Sequence, residues 1–304
     1  MKVVALAGGT GSAKLLRGLK ELPGELTVIC NVGDNFSWQG LQVCPDIDIA
    51  MYALAGTGDS VRGWGVEGDS FQTLSELRRL GAEAWFQMGD RDLATSILRT
   101  AFIRKGMTLT EATGELGEMH GLTQKILPVT DDPIETHIVT PAGELHLQEF
   151  WVRDRGKGRV SSVAYQGAKK AEISVVVRKE ILGADRVVIC PANPVTSIGP
   201  MLAVGGVVEA LRSTAARVSA LSPMIARGPI SGPAGKLMKA TGIRPDSVGV
   251  ARIYARFLDV LFIDNNDESL RIDVENEGPR CRVSDIVIHD RRDAVRLARE
   301  LVAA

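Results

Sequence analysis

No apolar run in this 304-residue chain is longer than a strand, so nothing in it reads as a membrane-spanning helix. Basic residues nowhere cluster with interleaved aromatics, and 36 Lys and Arg stand against 37 Asp and Glu, so the electrostatic footprint of a nucleic-acid binder is missing. The chain enters a strand at once, without a charged leader and an apolar signal segment, and a cytoplasmic protein is the expectation. Only four cysteines are present, and Cys30, Cys44, Cys190 and Cys281 are too scattered for a zinc knuckle or a redox pair, so they read as structural thiols. A serine elbow and any Cys/His spacing for nucleophilic catalysis are also lacking, which argues against covalent chemistry. The four histidines add little: His137 and His146 fall where they would face each other across a hairpin, and His120 and His289 stand alone.

What is present starts at the first residues. Lys2 to Ala7 reads as a buried strand, and Gly8-Gly-Thr-Gly-Ser-Ala-Lys14 turns into a helix around Leu15 and Leu16. Glycines let a backbone approach an anion closely, and a helix that follows aims free N–H groups at it. Gly9, Thr10, Gly11, Ser12 and Lys14 are therefore the candidate phosphate cradle. The motif departs from both common fingerprints, because Lys14 stands where a dinucleotide motif has its third glycine and the Walker Gly-Lys-Ser/Thr order is absent.

Short apolar runs recur between helical ones at Leu26–Cys30, Arg186–Cys190, Ala216–Leu221, Asp259–Ile263 and Asp285–His289. Strands covered on both faces read this way, so the pattern predicts an α/β fold: a doubly wound, Rossmann-like parallel sheet within one domain spanning 1–304. Roughly 81–170 has a different texture and reads as an inserted helical and hairpin region packed on the sheet. There Thr108-x-x-Glu111 is a capping box, Asp90 is placed to cap the helix of Leu93 to Arg104, and Thr136–Thr140 with Glu144–Trp151 alternate like a hairpin.

In such sheets ligands sit beyond the carboxyl ends of the strands, and those loops here are rich in Asp, Asn, Gly and Pro. Asp34 follows the second strand, while Asp46 and Asp48 open the next helix. Three acids beside a phosphate turn suggest Mg²⁺, which bridges carboxylates to substrate phosphates; the plain alternative for Asp46 is a helix cap. The loop Pro191–Pro200 offers the Asn193 amide and the Thr196 and Ser197 hydroxyls around one point, and Gly228–Lys236 is a second loop of small residues. A nicotinamide oxidoreductase is disfavoured because Cys30-Asn31, not an acid, ends the second strand.

Ala7–Lys14, Asn31-Val-Gly-Asp34, Cys44-Pro-Asp-Ile-Asp48, Arg62-Gly-Trp-Gly65, Trp85–Thr95, Thr130-Asp-Asp, Glu135-Thr-His137, Gln148–Arg153, Asn193–Gly199 and Ser231–Ala234 follow one another along nearly the whole chain. Together they resemble the 2-phospho-L-lactate transferases of coenzyme F-420 biosynthesis. That resemblance implies transfer of a phospholactyl-type group, in its lactyl, enolpyruvyl or glyceryl form, from a guanosine diphosphate adduct to a ribityl hydroxyl of the deazaflavin precursor Fo (7,8-didemethyl-8-hydroxy-5-deazariboflavin). GMP leaves, Mg²⁺ assists, and a homodimer is expected. It also implies that Asp48 and Gln87 contact Fo and that Asp46 and Asp48 serve catalysis. Relatives often carry a basic side chain where this chain has Gln87, and a histidine where it has Ser96. A related family of nucleotide-sugar-binding regulators shares the glycine start and the Asn-Pro loop; Trp85–Asp92 and Gln148–Arg153 speak against it.

Overall fold

In the computed structural model, which describes residues 1–226, 228–230 and 232–304, seven parallel strands form the central sheet. They are β1 (Lys2–Ala7), β2 (Glu25–Cys30), β3 (Lys125–Pro128), β4 (Arg186–Ile189), β5 (Arg217–Leu221), β6 (Val260–Asp264) and β7 (Arg280–Ser284). Their order across the sheet is β7-β6-β5-β4-β1-β2-β3, with every neighbouring pair parallel. The direction of winding reverses between β1 and β4, which is where a doubly wound sheet leaves a crevice for ligands. The strands are apolar without alternation because both faces are covered: Val3 to Ala7 and Leu26 to Cys30 are all buried.

Five helices position the site: α1 (Gly9–Leu19), α2 (Pro45–Ala55), α3 (Gln72–Arg79), α4 (Asp90–Arg104) and α5 (Leu109–Met119). Helix α2 begins with Pro45, whose fixed φ suits the first turn, and ends at Gly56 in the left-handed conformation. The predicted capping box of α5 is present, with Thr108 accepting from Glu111 N and Glu111 accepting from Thr108 N. A separate three-stranded antiparallel sheet joins Glu135–Thr140, Gly143–His146 and Ser162–Gln166, and its register sets His137 opposite His146 as expected.

Several expectations need correction. Asp285–His289 is not a strand; the sheet ends on β7, and this run is apolar because Ile286 and Ile288 are buried in the core, not because it is paired. Glu149–Trp151 does not extend the hairpin but forms a wide helical turn, Glu149–Arg153, fastened by the Arg153–Glu149 ion pair at 2.8 Å. Asp90 does not cap its own helix. It accepts from Ser70 Oγ and from the Gln72 and Thr73 N–H groups, so it caps α3, while the Asp69 carboxylate accepts from Arg91 and Asp92 N and caps α4. Within the 81–170 region, Lys125–Pro128 belongs to the central sheet as its edge strand β3. Ser231 lies outside the described residues.

Candidate active site

A cleft of about 1320 Å³ runs along the carboxyl edge of the sheet at the β1/β4 reversal. Its wall includes Gly9, Thr10, Gly11, Lys14, Asp34, Asp46, Asp48, Gln87, Asn193, Thr196 and Ser197. Ser12, the remaining residue of the candidate phosphate cradle, is absent from that wall. Ser12 is buried, and its hydroxyl is exchanged with Gly8, accepting from the N–H at 3.0 Å and donating to the carbonyl at 2.8 Å. It shapes the turn from within.

One side of the cleft is built by backbone. Gly8 leads into α1, and a Cβ on it would meet Asp46 Oδ2 at 2.8 Å and Ser197 Cβ at 2.7 Å, so only glycine lets these three segments converge. Gly11 is needed for a similar reason: a Cβ there would sit 2.2 Å from the Pro191 carbonyl. Gly9 N donates to Asp46 Oδ1 at 2.7 Å, and helix geometry leaves the Thr10 and Gly11 N–H groups without intrahelical partners, facing the cleft. The Lys14 ammonium, by contrast, donates to the Ile288 carbonyl at 3.3 Å, which ties α1 to the segment after β7.

Asn31, at the tip of β2, is the hub of this side and was not among the residues picked from sequence. Fully buried, its Nδ2 donates to Asp34 Oδ1 (3.0 Å), Asp46 Oδ2 (2.9 Å) and the Thr196 carbonyl (3.3 Å), while its Oδ1 accepts from Gly33 N. Asn193 Oδ1 accepts from Val195 and Thr196 N, which folds the β4 loop onto the same point. Asp46 is thus a bridge between α2 and the start of α1 rather than a cap. Burial pushes Asp46 up to about 6, against the hydrogen bonds from Asn31 and Gly9, and burial with repulsion from Asp46 pushes Asp34 well above the carboxylate range. Two crowded oxygen donors whose charges repel are chemistry that suits a hard divalent cation completed by phosphates and water. Among the described residues no three His, Cys, Asp or Glu side chains converge as a metal-holding set.

Asp48 does not join that pair. Its carboxylate is gripped by both terminal nitrogens of Arg99, a side chain with no solvent exposure, with Nη1 to Oδ2 at 3.0 Å and a second, shorter contact from Nη2 to Oδ1. Burial raises the Asp48 pKa and Arg99 opposes the rise. A second rung lies beside it, where Tyr52 OH donates to Asp92 Oδ1 at 2.9 Å. Asp48 and Tyr52 are four residues apart on α2, and Asp92 and Arg99 seven apart on α4, so each pair shares a helix face. Asp92 is pushed up to about 7 by burial and by the charge of Asp48. Arg99 and Tyr52 lie outside the motifs read from sequence, and Asp92 lies inside one without its partner being evident, because their meaning comes from packing of α4 on α2.

An aromatic cluster backs the cleft around Phe86. Phe36 stacks on Trp85 at 5.9 Å and meets Phe86 edge-on at 4.9 Å, with Trp38 6.3 Å from Phe86. Phe86 and the exposed Gln87 line the cleft, while Met88 and Trp38 are buried behind. Ser96 is fully buried on α4 and does not reach the wall. The opening therefore offers the glycine turn and paired carboxylates at one end, and Phe86 with the Gln87 amide at the other.

The model of the family 2-phospho-L-lactate transferase CofD matches residues 3–303. A 2-phospho-L-lactate transferase from Methanosarcina barkeri is 40% identical over 302 residues, covering 99% of this chain and 97% of its own. One from Methanopyrus kandleri is 41% identical, covering 99% of this chain and 97% of its own. A phosphoenolpyruvate transferase from Streptomyces griseus is 38% identical over the full length of both chains. A crystal structure of a UPF0052-family protein from Bacillus halodurans superposes with a TM-score of 0.69 at 16% identity, covering 99% of this chain and 98% of that one, a likeness of fold.

Proposed function

This chain belongs to the 2-phospho-L-lactate transferase CofD family, and from that premise we propose that it joins a guanosine-diphosphate-linked phospho-acid to a ribityl hydroxyl of Fo and releases GMP. The observation that carries the reading is the two-ended cleft: the glycine turn at the start of α1 and Phe86, backed by the Phe36 ring, line one opening together with Asp34, Asp46 and Asp48. A diphosphate and a planar deazaflavin are ligands of those two shapes.

The residues divide the work. Thr10 and Gly11 N–H groups, at the positive end of α1, receive the donor's phosphates, and the Asn193–Ser197 loop closes on the same side. Asp34 and Asp46 would hold Mg²⁺, which when bound offsets phosphate charge. Asp48, fixed by Arg99, accepts a hydrogen bond from the acceptor hydroxyl and orients it, and Gln87 holds the rim of the aromatic slot. Phosphoryl-group transfer needs positioning and charge neutralisation more than a protein nucleophile. Relatives named for lactate and for enolpyruvate donors are both close to 40% identical, so the acid is decided by small contacts.

Incubating the protein with Fo, Mg²⁺ and each guanylylated acid, then weighing the products, tests the reading. A mass increase of Fo by one phospho-acid together with stoichiometric GMP is expected. GDP-linked ligand bound without turnover of any donor would favour a nucleotide-binding regulator instead.

A further inference from the structure

We propose that the Asp92 carboxylate, oriented by Tyr52, is the base that takes the proton from the acceptor's attacking hydroxyl, and that Asp48 only holds that hydroxyl in place. The inference rests on the transfer reading above and deepens it. Its ground is the different state of the two carboxylates that face the acceptor end of the cleft. Asp48 has both oxygens committed to the buried Arg99 guanidinium, a permanent cation that favours the charged form against the rise that burial gives its pKa. Asp92 has one oxygen committed: Oδ1 accepts from Tyr52 OH, whereas Oδ2 has no hydrogen bond among the described residues and lies near Gly65, which lines the same cleft. Among the described residues it has no cation partner in hydrogen-bond reach, and its backbone N–H is anchored on Asp69 at 3.1 Å, which fixes where the side chain starts.

The charged and titratable groups around Asp92 are Asp48 and Tyr52 from α2, Arg91 and Arg99 from its own helix, Asp69 from the preceding loop, and His120 beyond the Tyr52 ring, 5.5 Å from it. Burial and Asp48 raise the Asp92 pKa to about 7, the region where a general base is most effective near neutral pH. The Tyr52 hydrogen bond pulls the other way, favouring the carboxylate.

The step balances as follows. The acceptor O–H proton moves to Asp92 Oδ2 as the hydroxyl oxygen forms a bond to the phosphorus that carries the acid. The bond from that phosphorus to the bridging oxygen breaks, the electron pair leaves with GMP, and Asp92 later returns its proton to water. No oxidant or reductant enters.

Two measurements test it. In the pH profile of kcat/KM, wild type should lose rate as pH falls below about 7. Asp92→Asn should lower kcat at pH 8 by about 10²- to 10⁴-fold with acceptor affinity retained, and the acid limb should vanish. Tyr52→Phe should move that limb to higher pH, a shift that a purely structural tyrosine would not produce. The second measurement needs no turnover: ¹³C NMR of labelled aspartate, with Asp92→Asn identifying the signal, reads the titration of Asp92 directly in the full-length protein. A midpoint near 7 that rises in Tyr52→Phe supports the assignment. A midpoint in the ordinary carboxylate range, or an Asp92→Asn variant that keeps its acid limb and its rate, overturns it. Absence of wild-type turnover with every donor would defeat the transfer reading instead, and the NMR midpoint would then decide the state of Asp92 by itself.

Discussion

The two ends of the cleft are made of different material. At the donor end the groups that matter are backbone N–H groups and short polar side chains, drawn together because Gly8 and Gly11 let segments approach closer than a Cβ permits. At the acceptor end they are long side chains crossing between helices: Arg99 to Asp48, Tyr52 to Asp92, and the Phe36, Trp85 and Phe86 rings. The first is rigid by construction, since it is backbone. The second depends on buried charge, so its stability and its chemistry are coupled.

The largest effect should come from breaking the charged rung. Arg99→Met leaves the Asp48 carboxylate buried without its cation, and removing one partner of such a pair costs about 3–5 kcal/mol. Denaturant unfolding should register this loss, with Arg99→Lys falling between the variant and wild type. A Met variant as stable as wild type would mean that water already shares the pair.

Next, Asp48→Asn keeps the shape and removes the charge proposed to orient the acceptor hydroxyl. Misplacing a reacting group costs about 10²-fold in rate, and single-turnover kinetics with saturating donor should show it while GDP affinity is unchanged.

How much of this was legible in the sequence follows the same division. Gly9, Thr10, Gly11, Asp34, Asn193, Thr196 and Ser197 follow strand ends closely in sequence, Asp46 and Asp48 open α2, and all of them line the cleft. The sheet was readable for a similar reason: strands covered on both faces declare themselves as apolar runs. Asp285–His289 misled because burial in a loop over the core gives the same apolar signature as a paired strand. Arg99 and Asp92 were illegible as a site because their partners lie 51 and 40 residues away on another helix. Asn31 was visible inside its motif, yet nothing local shows that one amide would serve Asp34, Asp46 and Thr196 together. Asp69 and Asp90 exchange caps between α3 and α4, an arrangement that spacing within either helix cannot reveal.

A subtler contrast is in stability against pH. The Asp92 carboxyl titrates near 7 when folded and near about 4 when unfolded, so between those values the folded state holds a proton that the unfolded state releases. That contribution to stability is present at low pH and is lost as pH rises toward 7. Asp92→Asn should therefore melt higher than wild type at pH 8, and the difference should shrink as the pH approaches 4. Comparing the variant with wild type isolates the effect from His120 and His146, whose lowered pKa values act in the opposite sense. Equal melting temperatures at pH 8 would place the Asp92 pKa in the ordinary range.

The smallest effect is expected at the rim. Gln87 is exposed, and Gln87→Ala removes one amide from the aromatic slot, so Fo binding should weaken by about 1 kcal/mol, with GDP binding unaltered. Fo fluorescence titration reads this directly.

The division of the cleft is tested most directly by two neighbouring carboxylates. Asp46 and Asp48 are two residues apart on α2, and one bonds Gly9 and Asn31 while the other bonds Arg99. Dissociation constants for GDP with Mg²⁺, by calorimetry, and for Fo, by fluorescence, should be measured in Asp46→Asn and Asp48→Asn. The account predicts that Asp46→Asn weakens GDP and leaves Fo unchanged, and that Asp48→Asn does the reverse. Equal loss of both ligands in either variant, or the opposite pairing, would contradict it.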